Sequence, residues 1–327
     1  MTNYSAKVFF VAAAVLASLM PVCLAESVYP TRPIKIIVPL PPGPVADALP
    51  RIVAQKLAAK WGQPVFIENR PGASQNLGAE AVAKAEPDGY TLLATPPGPL
   101  VVSQHFFPQL GFDPTTFVPV TVMVKVPAVI VVNPEFPASN LKELIAYAKA
   151  NSNKVTYGSP GVGSTPQLAM EQLMVAAEIR FLHVPYKGLA PAMTDLLAGH
   201  IDVMIDNLGN VMQYIKAGKL KLIAATTESR IPELPDVATV AETLPGVTHA
   251  DWFAIVAPPK TPPQIAAKLA EAITEILRTP DVANRIKELY LTPVGNSPAE
   301  TTFLIKQESE RWGKLIAETG VSAEPSR

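Results

Sequence analysis

Short apolar runs alternate with segments of helical period along most of the chain. Residues 34–40 (IKIIVPL) are rich in Ile and Val, the pattern of a strand covered on both faces, and a helix follows over about 46–60. A second strand at 65–68, a helix at 77–84 and a third strand at 90–94 complete a β-α-β-α-β series. That order predicts a parallel sheet with right-handed crossovers. The middle of the chain repeats the pattern. Strands are expected at 128–132, 155–157, 180–184, 203–205 and 220–225. Helices are expected at 141–150 (capped by Ser139 or Asn140), 167–177, 191–198 and 211–217. A late strand at 252–257 precedes a strongly helical tail over 263–319.

Two α/β series, with a tail returning to the first, predict an α/β fold of two lobes with a ligand cleft between them. Crossings are expected near 122–125 and 248–251, so that one lobe holds residues 26–123 plus 250–327 and the other 124–249. About 300 residues exceed a single core of ordinary size, which favours two lobes on separate grounds. The 35 prolines mark element ends, as at Pro64 before a strand and at Pro191, Pro263 and Pro298 at helix starts.

The first 25 residues bear on the compartment. Lys7, the 13 apolar or small residues over 8–20, the break at Pro21 and the small-residue site ending at Ala25 read as an export signal over 1–25. The apolar run is well short of the roughly 20 residues a membrane-spanning helix needs, so an exported, soluble protein is expected. Cys23 is the sole cysteine and falls inside that segment, which leaves the mature chain no thiol for a disulfide, a metal or a nucleophile. Loss of Lys7 makes the net charge −2. With no basic run, and no interleaving of basic and aromatic residues, nucleic acid is excluded as the expected partner.

Ligands of open α/β sheets gather at the carboxyl ends of strands, where loops meet helix N-termini. The first such loop is Pro41-Pro42-Gly43-Pro44-Val45-Ala46-Asp47. Helix N-terminal amides attract carboxylates, but three prolines remove three donors, leaving Gly43, Val45 and Ala46 to act. Asp47 either caps the helix or faces the ligand. The second loop, Ser159-Pro160-Gly161-Val162-Gly163-Ser164-Thr165-Pro166, offers two glycines and three hydroxyls ahead of a helix. It has no Lys after its glycines and is no phosphate-binding P-loop; nor is it a Gly-x-Ser-x-Gly elbow. Thr95-Pro96-Pro97-Gly98, Gly72-Ala73-Ser74-Gln75-Asn76 and Asp206-Asn207 occupy equivalent strand ends, where each serves as a cleft wall or as a plain turn or cap. The ligand-binding set expected from these loops is Pro41, Pro42, Gly43, Pro44, Val45, Asp47, Gln75, Thr95, Ser159, Gly161, Gly163, Ser164, Thr165 and Asp206.

Several segments carry a family resemblance. They are Tyr29-Pro30-Thr31-Arg32-Pro33-Ile34, Gly62-Gln63-Pro64-Val65, Glu68-Asn69-Arg70-Pro71-Gly72-Ala73 and Pro87-Asp88-Gly89-Tyr90-Thr91-Leu92. His183-Val184-Pro185-Tyr186-Lys187-Gly188, Leu234-Pro235-Asp236-Val237 and Trp252 ahead of Ala257-Pro258 continue the series. Together the chain resembles the Bug-type (TctC-like) substrate-binding proteins of tripartite tricarboxylate transport systems. The resemblance implies a periplasmic, type II Venus-flytrap binding protein, monomeric, that captures a small carboxylate (a di- or tricarboxylate or an aromatic acid) for transporter membrane subunits. It implies a carboxylate held by backbone amides and bridging waters at the first loop, with hydroxyl groups of the second lobe completing the site. The chain departs from the family pattern at three places. Pro41-Pro42-Gly43-Pro44 stands where Pro-Ala-Gly-Gly is usual, Gly72-Ala73-Ser74-Gln75 where Gly-Ala-Gly-Gly is usual, and Gln167 where the family has His.

Rival readings find less support. His105, His183, His200 and His249 are scattered without metal-ligand spacing, so no metal, cofactor or catalytic residue is expected. A hydrolase would have to be assembled from Ser164, His183 and Asp206 with no signature behind it. Glu233 and Asp236 lie in a proline-bounded loop and read as solvated; Arg70 and Lys187 read as salt-bridge partners or ligand contacts, and Trp252 as packing near the hinge or a ring stacked on the ligand. A binding protein that reports to a sensor kinase ectodomain is the remaining alternative, since either partner would recognise the closed form.

Overall fold

The computed structural model describes residues 29–43 and 47–321. The expected export signal, Pro44, Val45 and Ala46 lie outside the described residues. Residues 32–321 belong to one compact unit.

The first series folds as the apolar pattern dictates. Strand β1 (Ile34–Val38) is followed by helix α1 (Ala48–Trp61), β2 (Val65–Asn69), α2 (Asn76–Ala83) and β3 (Thr91–Thr95). β1 pairs in parallel with β2 on one side and with β3 on the other. A π turn at Gly98–Val102 runs into a single α turn at Ser103–Phe106.

Strand β4 (Val118–Val132) is three times the length expected at this point and organises the molecule. Pro119 and Pro127 argue against a central strand, because proline cannot donate to the ladder. The structure places Pro119 where the register slips and Pro127 at the end of the first run of partners. Over 118–127 β4 pairs antiparallel with β9 (Ala250–Ala257); over 128–132 it pairs with β7 (Val203–Asn207) and β8 (Lys221–Ala225). One strand therefore serves two sheets.

The second series is α3 (Leu141–Ala150), β5 (Thr156–Ser159), α4 (Thr165–Ala177), β6 (Leu182–Pro185), α5 (Leu189–Ala198), β7 and α6 (Leu208–Lys216). Asn140, and not Ser139, caps α3 by accepting from the Glu143 amide at 3.0 Å. Pro191 lies inside α5 instead of at its start. The tail is three helices, α7 (Pro263–Leu277), α8 (Pro280–Glu288) and α9 (Pro298–Thr319), with the two-residue strand β10 (Thr292–Pro293) pairing back to β4. The strand path is β2-β1-β3-β9-β4-β7-β5-β6.

Alternation along β4 shows why its run is apolar throughout. Ala128, Ile130 and Val132 face one core with Leu144, Leu173 and Ile205, whereas Val129 and Val131 face another with Leu196, Met204 and Val211. A strand buried on both faces needs a continuous apolar run. Trp252 lies in the core of the first half, with Val122, Ala254 and Trp312.

Candidate functional site

Each half contains a point where the strand order reverses. In the first, the chain leaves β1 for β2 and then crosses to β3 on the far side of β1; in the second, it leaves β5 for β6 and crosses to β7. Loops on either side of such a point diverge and open a crevice at the carboxyl edge of the sheet. The segments concerned are the loops that begin at Pro39 and Pro96 in the first half, and the loop 160–164 with the β7 end at Asp206 and Asn207 in the second. The loops singled out in the sequence are thus the ones beside the two reversal points, joined by 72–75 after β2.

Two of them touch across the halves. The Ser74 hydroxyl donates to the Val162 carbonyl at 3.1 Å. The Gly163 turn lies so close to Phe106 that a Cβ at 163 would sit 2.9 Å from the ring. Val162 and Leu168 also pack into the core of the first half, beside Phe106 and Trp252. Loop 72–75 is strained: Ala73, Ser74 and Gln75 have φ of 47°, 51° and 78° in succession. Non-glycine residues seldom enter this region, and strain of this kind concentrates at ligand clamps and switches. Gln75 Oε1 is buried without a hydrogen-bond partner among the described residues and faces Gly98.

The first loop leaves Pro41 and Pro42 exposed and Gly43 half-buried. Asp47 is buried, and its side chain caps nothing. Its Oδ2 accepts from Arg51 Nε at 2.6 Å, and its Oδ1 from Asn69 Nδ2 at 2.9 Å. Asn69 also donates to the Leu40 carbonyl at 3.0 Å, so this carboxylate ties α1 to the end of β2 and to the entry of the loop. Thr95 is fully buried, its hydroxyl turned onto the Pro96 carbonyl.

In the second loop every hydroxyl proton goes to a protein acceptor. Ser159 and Ser164 donate to the Gly161 carbonyl at 3.1 and 2.6 Å, and Thr165 donates to Asp251 Oδ1 at 2.7 Å. The Gly163 amide donates to Gln167 Oε1 at 2.7 Å, and the Ser164 amide to the Gly161 carbonyl at 3.2 Å. The first turn of α4 leaves the Thr165 and Gln167 amides without a partner within the helix, the arrangement that attracts an anion. Gly161 and Gly163, at φ of 149° and 78°, make that turn possible.

His183 Nε2 lies 2.7 Å from Ser159 Oγ, a distance that would suit a nucleophile and its base. The surroundings reverse the roles. Gln167 Oε1 is committed to the Gly163 amide, so its Nε2 faces His183 Nδ1, at 3.4 Å. Nδ1 must then accept, Nε2 holds the proton, and His183 donates to Ser159 instead of deprotonating it. The ring stacks on Tyr157 with centroids 4.6 Å apart, and burial lowers its pKa to about 4.

Asp206 lies at the end of β7, beside the second loop. Its Oδ1 accepts from the Asn207 amide at 2.7 Å and from Asn210 at 3.0 Å; its Oδ2 is buried without a hydrogen-bond partner among the described residues. Burial pushes its pKa up to about 7, with nearby Asp251 adding to the effect. Arg70 pairs with Glu68 at 2.6 Å. Glu233 and Asp236 are exposed. Ser164 and Asp206 are not brought to His183. Phe106 and Asp251 meet the second loop through long-range packing that no local sequence signal announces; Gln167 reaches Gly163 from the first turn of α4, where its departure from the family pattern had marked it, and His183 stands within β6 beside Tyr157 of β5.

Among the described residues, no group of three or more His, Asp or Glu is placed to hold a metal, and no helix is long and apolar enough to cross a membrane.

Comparison with known proteins agrees with this arrangement. Protein BugT of Bordetella pertussis is 37% identical over 302 residues, covering 91% of this chain and 92% of that one. The structure of R. palustris Rpa4515 with adipate superposes with a TM-score of 0.84 at 33% identity, covering 90% of this chain and 99% of that one. MatC (Rpa3494) from Rhodopseudomonas palustris with bound malate gives a TM-score of 0.80 at 30% identity, covering 88% and 100%. The pattern described as tripartite tricarboxylate transporter family receptor matches residues 49–321, and with that match the chain belongs to the TctC family of solute-binding receptors, of the Bug type.

Proposed function

We propose that this receptor works in the periplasm, captures a small carboxylate between the loops at its two strand-order reversal points, and delivers it to transporter membrane subunits without altering it. The observation that carries the reading is the meeting of loops 72–75 and 160–164 across the halves, beside a helix N-terminus whose first-turn amides have no partner within the helix. On this reading the guest lies among Gly43 of the first loop, Gln75, Thr95, the α4 N-terminus at Ser164 and Thr165, and Asp206. A guest that touches both halves selects the closed form, because the open form offers only one of them. The structures of two relatives, one with adipate and one with malate, support a dicarboxylate as guest. The inward commitment of the Ser159 proton supports binding without hydrolysis.

Thermal-shift screening of mono-, di- and tricarboxylates and aromatic acids tests this, since a ligand of the native state raises its apparent stability. Adipate or malate is expected to raise the melting temperature. A shift by neutral solutes alone sinks the reading, and turnover of a bound acid sinks the claim that no chemistry is done.

A further inference from the structure

We propose that Gln167 and His183 are positioning residues of the carboxylate site, holding the 159–165 turn through a one-way hydrogen-bond relay that begins and ends in the turn itself. The inference rests on the carboxylate reading above. The relay begins at the Gly163 amide, which donates to Gln167 Oε1 at 2.7 Å. Gln167 Nε2 faces His183 Nδ1 at 3.4 Å, His183 Nε2 meets Ser159 Oγ at 2.7 Å, and the Ser159 hydroxyl donates to the Gly161 carbonyl at 3.1 Å. Every direction follows from the first, because a backbone amide can only donate. The clamped turn is the one that accepts the Ser74 hydroxyl and rests on Phe106, so its placement sets how the two halves meet. It also aims the first-turn amides of α4.

The relay works in this direction only while His183 is neutral with its proton on Nε2. The groups around the ring are Tyr157, stacked on it, and Glu171, which accepts from the Tyr157 hydroxyl at 2.6 Å and is in turn influenced by Arg180. Burial lowers the His183 pKa and raises that of Glu171, so both favour their neutral forms.

Gln167→Glu tests the direction without removing the acceptor for Gly163. A carboxylate there accepts a hydrogen bond from Nδ1–H, leaves Nε2 of the neutral ring to accept, and turns the Ser159 proton away from Gly161. Protonation of the ring restores the native direction downstream. A carboxylate at this distance raises a histidine pKa by about one to three units. Titration calorimetry with malate and adipate between about pH 5 and 8.5 reads the effect as the variant's affinity relative to wild type at each pH, since Asp206 titrates at about 7 in both proteins, while wild-type His183 stays neutral throughout. The Gln167→Glu protein should lose at least about fivefold in affinity as pH rises through the new His183 pKa, an effect of about 1 kcal/mol. A purely structural role would weaken binding equally at every pH. That result, or a loss on lowering the pH, overturns the proposal; so does a pH response that vanishes when Glu171→Gln is added. Ring nitrogen NMR of the wild-type protein provides a second readout. It should show His183 protonated at Nε2, and an Nδ1–H tautomer overturns the relay even if the variant does not fold. If no acid binds the wild-type protein while the Nε2 tautomer is seen, the carboxylate reading fails and the relay is left as a turn clamp alone.

Discussion

Thr165 and Asp251 are joined by a buried hydrogen bond of 2.7 Å that fastens the N-terminus of α4 to the start of β9. These positions are distant in sequence and belong to different series, so the bond links the second loop to the strand returning to the first half. The other close neighbour of that carboxylate oxygen is His249 Nε2, at 3.7 Å, beyond hydrogen-bonding distance. Thr165→Val keeps the shape and removes the donor. It should cost about 1–3 kcal/mol, the range for leaving one buried partner unsatisfied, while Thr165→Ser restores most of it. Urea denaturation of the three proteins checks this; equal midpoints for the Val and wild-type proteins would show that the bond contributes nothing.

Gly163 and Phe106 test the contact between the halves. An alanine at 163 meets the ring at 2.9 Å and must also hold φ near 78°. The left-handed conformation alone costs roughly 1–2 kcal/mol. Gly163→Ala should therefore lower both stability and acid affinity, and adding Phe106→Leu should recover the steric part but not the backbone part. A double-mutant cycle separates them, and strictly additive effects would mean that ring and turn do not meet.

Ser74→Ala removes the hydroxyl that reaches Val162. On the proposal that ligand selects the closed form, this bond adds to ligand affinity and not to the stability of either half. The expected loss is a few-fold in affinity, in line with about 0.5–1.5 kcal/mol for one hydrogen bond, with no change in the urea midpoint without ligand. Calorimetry and denaturation on the same sample decide between this and a merely local role.

Much of this was legible in the sequence. The strands β1, β2, β3 and β7 announce themselves as apolar runs, and once they are ordered the site must lie at their carboxyl ends. The length of β4 was hidden by Pro119 and Pro127, which the fold accommodates at a register slip and at a change of partner. The internal use of the loop hydroxyls was hidden for a different reason. A hydroxyl written beside glycines looks free, and only the fold brings His183 to Ser159 and Asp251 to Thr165. Asp47 shows the same limit, being held by Arg51 one helical turn away and by Asn69 from another strand.

Asp206 and His183 should give the folding stability opposing pH dependences. The folded-state pKa of Asp206 is raised to about 7 from 3.8, so its contribution is complete below pH 3.8 and is lost as pH rises towards 7. That of His183 is lowered to about 4 from 6.5, so its contribution is complete above pH 6.5 and is lost as pH falls towards 4. Between these limits the two slopes oppose each other and flatten the wild-type profile. Asp206→Asn keeps the acceptor for Asn207 and Asn210 but abolishes the ionisation. Relative to wild type the variant should gain on the order of 2–4 kcal/mol between about pH 4 and 8. It should also expose a rising limb from His183 of on the order of 2 kcal/mol, reduced by the solvent that still reaches that ring. Urea midpoints across this range test both contributions. Parallel profiles for the two proteins would show that Asp206 ionises freely in the folded state, and that its buried oxygen finds a compensating partner.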